Sequence, residues 1–120
     1  MPTVAYAVVA DPHDRAWIES TLAPSVGLVF VDDGPNLLAR MPRGPGHCLI
    51  VSCDQDGAAA LRLVRDLRNS GSTLPVIALG AHTAFRTAVA LARLGATDFL
   101  ERPVSVRQLR AAVRRAGAPE

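Results

Sequence analysis

Three carboxylates and one guanidinium stand at the ends of short apolar runs in this chain. Asp11, Asp54 and Asp56 each follow such a run, and Arg102 follows another. Carboxylates carry negative charge and accept hydrogen bonds, and arginine pairs with anionic groups. If the runs are strands of one open α/β sheet, these side chains lie at its carboxyl edge, where such sheets place their sites.

The remaining candidates for chemistry are two cysteines and two histidines. Cys48 and Cys53 lie five positions apart on one predicted strand and its exit, so they point to opposite faces and do not favour a disulfide. Cys53 becomes a redox candidate only if it is exposed, and otherwise it is a small buried hydrophobe. His13 and His82 are expected to face solvent or cap a helix, and the neighbouring sequence does not complete a zinc site.

The elements that must position these groups alternate along the chain. Apolar runs predict five strands, over residues 3–9, 26–31, 47–52, 74–79 and 97–101. Helices are predicted to begin at His13 or Asp14, after Asp32-Asp33-Gly34-Pro35, over 58–69, over 83–94 and after Ser105. In the fourth helix, Phe85, Val89 and Ala92 are expected to form the buried stripe. Right-handed crossovers then favour a doubly wound parallel sheet of order 2-1-3-4-5.

Composition excludes several classes of function. The chain has 120 residues, which suits one domain, and its formal net charge of +2 is too small to indicate nucleic-acid binding. No apolar run reaches the roughly 18 residues of a membrane span, and no secretory signal is evident, so a cytoplasmic location without membrane contact is expected. All 13 basic residues are arginine.

Three segments carry a resemblance to a known family. They are VVADP at residues 8–12, CLIVSCDQDG at 48–57, and AHTAFRTAVALARLGATDFLERP at 81–103. Together they resemble the receiver domain of response regulators in two-component signalling, most closely the nitrogen-regulation type. The resemblance implies a flavodoxin-like (βα)5 fold, with residues 1–116 as the receiver-like domain and 117–120 as a tail or the start of a linker.

The resemblance also implies a role for each pocket position, and most of the expected groups have changed. The acid pair that holds Mg²⁺ in such receivers falls on Ala10 and Asp11, and the aspartate that accepts the phosphoryl group falls on Ser52. The Ser or Thr that contacts phosphate falls on Gly80, and the phosphate-binding lysine falls on Arg102. Only Asp11 keeps its expected identity, and a serine hydroxyl cannot form an acyl phosphate. We therefore expect a degenerate receiver, not an enzyme, with weak or absent Mg²⁺ binding and no other cofactor.

Alternatives remain open at this stage. Asp54 or Asp56 would serve as a displaced phosphoryl acceptor, or would simply bond backbone amides of their loop. A small-molecule site at the crevice of the sheet is a further possibility for this fold. Arg102 is expected to pair with Asp11 in place of a metal ion. Phe99 matches the aromatic residue that changes rotamer in the family, and without a hydroxyl at Gly80 one fixed state is expected.

The resemblance further implies a contact surface for protein partners. The fourth helix, fifth strand and fifth helix form a surface, here called the C-terminal face, at which such receivers meet a second copy or an output domain. Mixed charge on this face suits a self-complementary homodimer, and a solvated surface has the same composition. An output domain, and with it transcription regulation, would belong to a longer chain. The expected interface residues are Arg86, Arg93, Asp98, Glu101, Arg107 and Arg110.

Overall fold

A parallel sheet of five strands forms the centre of the molecule. The structure is a computed structural model that describes residues 4–31, 47–53, 57–81 and 85–117. Its strands are β1 (Val4–Val8), β2 (Gly27–Phe30), β3 (His47–Ser52), β4 (Val76–Gly80) and β5 (Asp98–Glu101). All neighbouring strands pair in parallel in the order β2-β1-β3-β4-β5, so the predicted topology is confirmed.

The described part of the chain contains four helices that connect and cover these strands. They are α1 (Pro12–Leu22), α2 (Gly57–Asn69), α3 (Phe85–Arg93) and α4 (Val106–Gly117). The helix predicted after Asp32-Asp33-Gly34-Pro35 lies outside the described residues, as do Asp54, Asp56 and His82.

Two hydrophobic clusters lie on opposite faces of the sheet, because side chains alternate along each strand. Leu49 and Val51 of β3 face the cluster covered by α2 and by Leu91 of α3. Cys48 and Ile50 face the cluster covered by α1 and α4. Central strands covered on both faces need continuous apolar sequence, which is why β3 was predicted with its correct bounds.

The ends of the helices follow local chemistry. Asp11 caps α1 and Pro12 occupies its first turn, so the helix begins earlier than the predicted His13 or Asp14. Proline suits this position because a first-turn residue needs no amide donor. At α4, Ser105 accepts from the Gln108 amide at 3.0 Å, and the Gln108 side chain accepts from the Ser105 amide at 2.8 Å. This reciprocal pair is a capping box, and it confirms Ser105 as the cap.

The predicted buried stripe of α3 is wrong. Phe85 is 70% exposed, Val89 is 37% exposed, and Ala92 is exposed as well. The buried side instead carries Leu91, and α3 packs beside α2. An alanine-rich helix presents apolar residues on several sides, so the sequence period does not decide which side faces the core.

Arg68 joins the end of α2 to the turn after α3. Its Nε donates to the Leu94 carbonyl at 2.7 Å, and its Nη2 donates to the Gly95 carbonyl at 3.1 Å. Its Nη1 reaches the carbonyls of Ser72 at 3.2 Å and Leu74 at 2.8 Å. Burial lowers the pKa of Arg68 from its ordinary value. One guanidinium thus satisfies four carbonyls in two connecting segments.

Candidate functional site

The carboxyl edge of the sheet brings the predicted pocket positions together. Ser52 ends β3 opposite Leu79 of β4, and Gly80 ends β4 opposite Glu101 of β5. Hydrogen bonds extend this pairing past the strand ends, since the Cys53 amide donates to Leu79 and the Arg102 amide to Gly80, both at 2.9 Å. Asp11 follows the neighbouring β1. The site therefore lies where the carboxyl ends of four strands meet.

Asp11 holds the first turn of α1. Its Oδ1 accepts from the backbone amides of His13 at 2.7 Å and Asp14 at 3.3 Å. The first amides of a helix have no partners within the helix, and a carboxylate at the cap position satisfies them and favours the positive end of the helix dipole. Asp11, the one pocket position that keeps its expected identity, therefore has a structural role in this chain.

Arg102 pairs with Asp14, and the predicted partner Asp11 was wrong. Nη1 of Arg102 lies 3.1 Å from Asp14 Oδ1, and Nη2 lies 3.0 Å from Asp14 Oδ2. The side chains are 27% and 23% exposed, so this is a partly buried, two-bond ion pair. Asp14 lies one helical turn beyond Asp11, and that spacing was the missed sequence signal for a second carboxylate at this edge. The pair joins α1 to the chain after β5.

Cys53 does not meet the condition for a redox site. It is 4% exposed and belongs to the cluster under α2 and α3. Cys48 is fully buried in the opposite cluster, and burial raises the pKa of its thiol to about 12. The two cysteines belong to clusters on opposite faces of the sheet, which confirms the expectation that they point to opposite faces, and neither is in a disulfide.

The ring of Phe99 lies against Gly80. An ideal Cβ built on Gly80 would lie 2.9 Å from Phe99 Cζ and 3.5 Å from Cys53 Cβ. The resemblance predicted a hydroxyl-bearing side chain at residue 80. The space that such a side chain would fill is taken by the ring of Phe99 from the next strand.

Two described carboxylates at this edge, Asp11 and Asp14, already accept hydrogen bonds from their own chain. Among residues 4–31, 47–53, 57–81 and 85–117, no three or more His, Cys, Asp or Glu side chains are grouped so that they could hold a metal ion. Asp11 accepts from two amides, and both oxygens of Asp14 accept from Arg102.

The C-terminal face is built by α3, β5 and α4. Among its predicted residues, Asp98 pairs with Arg115 at 3.0 Å, and Arg110 Nε donates to the Thr21 carbonyl at 3.0 Å. Arg86, Arg93, Glu101, Arg107 and Arg110 are exposed. The face also exposes three large apolar side chains that the charge pattern did not reveal, namely Phe85, Val89 and Val106.

No helix in the described part of the chain is both long and apolar enough to span a membrane.

This chain is similar to known regulatory proteins. The family model described as "Response regulator receiver domain" matches residues 11–114. The C4-dicarboxylate transport transcriptional regulatory protein DctD of Pseudomonas aeruginosa is 33% identical over 108 residues, covering 88% of this chain and 23% of that protein. The DNA-binding transcriptional regulator NtrC of Salmonella typhimurium is 27% identical over 111 residues, covering 91% and 24%. The chain thus spans about a quarter of the length of these curated relatives.

Solved structures share the same fold. Full-length FixJ from B. japonicum superposes with a TM-score of 0.82 at 25% identity, covering 95% of this chain and 57% of that chain. The N-terminal receiver domain of a response regulator from Bacteroides fragilis superposes with a TM-score of 0.84 at 16% identity, covering 100% of both chains.

Proposed function

Since this chain belongs to the response regulator receiver domain family, we propose that it is a degenerate receiver that acts by protein contact without aspartyl phosphorylation. Its partners would be proteins of a two-component type pathway. The observation that carries the proposal is the joint change at the acceptor, hydroxyl and lysine positions, which fall on Ser52, Gly80 and Arg102.

The contacts at the carboxyl edge support this proposal. Phosphoryl transfer to a receiver needs a nucleophilic carboxylate, a metal ion and a cation that faces the phosphate. Here Arg102 is bound to Asp14 through two hydrogen bonds, and Asp11 caps a helix. Both charges that such chemistry needs are therefore engaged in contacts that stabilise the fold. Weak or absent Mg²⁺ binding forms part of the proposal.

The C-terminal face would bind the partner. Its exposed apolar side chains are flanked by Arg86 and Arg93 on α3, with Glu101 on β5 nearby, so a second copy could meet it with opposite charges. The curated relatives are transcriptional regulators about four times as long as this chain. We therefore propose that the domain forms a homodimer through this face, acts in the cytoplasm, and serves an output domain that regulates transcription.

Treatment with acetyl phosphate and Mg²⁺, followed by intact-mass and peptide mass spectrometry, tests the phosphorylation half of the proposal. We expect the mass to stay unchanged. A phosphoryl group on Asp54 or Asp56 would instead establish the displaced acceptor, and Asp54→Asn and Asp56→Asn would identify which residue carries it. Modification at either residue would contradict the proposal.

Sedimentation velocity tests the homodimer. Phe85→Glu replaces the most exposed large apolar side chain of the C-terminal face with a charge, and we expect it to weaken self-association by about tenfold or more. Ala16→Glu, on the exposed side of α1, is the matched control and should leave self-association unchanged. A wild-type protein that stays monomeric, or equal effects of the two variants, would contradict the dimer.

A further inference from the structure

The aromatic neighbour of Gly80, and not its backbone conformation, leaves little room for a side chain at this position. Gly71 and Gly95 have positive φ angles of 89° and 83°, a conformation that favours glycine, whereas Gly80 has no positive φ. Instead, a Cβ at residue 80 would approach Phe99 Cζ to 2.9 Å, which is closer than side-chain carbons pack. The ring of Phe99 and a side chain at residue 80 therefore compete for one space.

The ring of Phe99 packs over small residues of β4. Phe99 pairs with Ala78, and Gly80 lies two residues farther along the same face of β4. Neither residue carries bulk, so the ring extends along this face toward the carboxyl edge. Cys53, whose Cβ is 3.5 Å from the built Cβ of Gly80, borders the same space, and the ring packs on the cluster that also contains Leu91 of α3.

From this geometry we infer that Gly80 and Phe99 form a permanent lock, in which the aromatic ring fills the side-chain space of residue 80 and stays there. The lock connects the carboxyl edge to the C-terminal face, because Phe99 belongs to β5 and packs beside α3. The functional role of this lock rests on the proposed function: a receiver without phosphoryl transfer keeps its contact face in one arrangement. The position of the ring is nevertheless measurable without any partner.

NMR on labelled protein tests the lock. In the wild type we expect nuclear Overhauser contacts from the Phe99 ring to the Gly80 α protons and the Cys53 β protons, with a single χ1 rotamer. Gly80→Ala should displace the ring, so the contacts to Cys53 are lost and the thermal unfolding midpoint falls by several degrees. Ser52→Ala, at the same edge on the neighbouring strand, is the control and should leave the ring contacts unchanged.

A second variant, Phe99→Leu, tests the lock even if Gly80→Ala alone folds poorly. In a Phe99→Leu background the shorter side chain leaves room for a Cβ, so Gly80→Ala should lower the midpoint by less than half of its effect in the wild type. Equal effects in the two backgrounds, persistence of the Cys53 contacts in Gly80→Ala, or two averaged rotamers in the wild type would overturn the lock.

The phosphoryl mimic beryllofluoride separates this inference from the proposed function. If the mimic bound with Mg²⁺ while the ring stayed against Cys53, the proposed function would be wrong and the lock would stand. If Gly80→Ala left the ring in place, the lock would be wrong whether or not the mimic bound.

Discussion

Two aspartates at the start of α1 accept hydrogen bonds from different partners. Asp11 accepts backbone amides, and Asp14 accepts the guanidinium of Arg102 from the far end of the chain. Asp11 and Arg102 were correctly predicted to lie at one site, but they do not form the predicted pair with each other. The separation between Arg102 and Asp14 is 88 residues, so only the folded sheet reveals which carboxylate the guanidinium reaches.

Replacement of Asp11 distinguishes a helix cap from a metal ligand. Asp11→Ala removes the acceptor for two amides and should lower the free energy of unfolding by about 1 kcal/mol. Asp11→Asn keeps a side-chain acceptor and should lower it by only a few tenths. Urea denaturation with and without Mg²⁺ measures both. A Mg²⁺-dependent stability that Asp11→Asn abolishes would contradict the capping role.

The ion pair between Arg102 and Asp14 is expected to couple the two residues. In a double-mutant cycle with Arg102→Ala and Asp14→Ala, measured by urea denaturation, the coupling energy should be about 1 kcal/mol, because the pair is bidentate but partly exposed. It should shrink in 1 M salt. Arg114→Ala combined with Asp14→Ala is the control pair, and coupling there of equal size would contradict the specific contact.

At the scale of elements, sequence patterns predicted strand bounds and helix caps, which depend on neighbouring residues. They did not predict which side of α3 is buried, because that depends on packing between helices. The bounds of β3 and the cap at Ser105 follow from a continuous apolar run and from capping chemistry, and both are confirmed. The stripe of α3 was assigned to the wrong side, because several sides of that helix are apolar and its contact with α2 selects one of them. Phe85 is exposed because it lies on a side of α3 that does not face the core.

Arg68 is expected to fix the turn between α3 and β5. A lysine at this position would offer one compact ammonium in place of a planar fork, and it cannot reach all four carbonyls. Arg68→Lys should lower the free energy of unfolding by about 1–2 kcal/mol and speed amide exchange in residues 94–97. Arg65→Lys, exposed on the same helix, should have little effect. Similar losses in the two variants would contradict the role of Arg68.

At the scale of the whole molecule, alternating strands and helices predicted the sheet order, since right-handed crossovers leave few topologies. The resemblance placed the pocket positions, and the strand ends bring those positions to one edge. The packing position of the Phe99 ring could not be predicted in the same way, because it depends on Ala78 and Gly80 lying next to β5 in the folded sheet.

The buried thiol of Cys48 is expected to make the molecule less stable at alkaline pH. Its pKa is about 12 in the folded chain against 9.0 ordinarily, so above pH 9 the unfolded state releases a proton that the folded state keeps. Stability contributed by this difference is present in full below pH 9 and falls as the pH rises toward 12, by up to about 1.4 kcal/mol per pH unit.

Urea denaturation between pH 7 and pH 10.5 measures this dependence. Cys48→Ala removes the titrating group, so its free energy of unfolding should fall less steeply above pH 9 than that of the wild type, even though the smaller side chain costs about 1 kcal/mol at every pH. Parallel pH profiles of the two proteins would contradict the effect of Cys48.

The most direct test of the central claim is a titration of the protein with beryllofluoride and Mg²⁺, followed by amide resonances. A degenerate pocket in which Arg102 is bound to Asp14 and the acceptor position is Ser52 should not bind this phosphoryl mimic, so the resonances of Ser52 and Phe99 should not move. Tight, Mg²⁺-dependent binding that shifts those resonances would show a working phosphorylation site and contradict the proposed function.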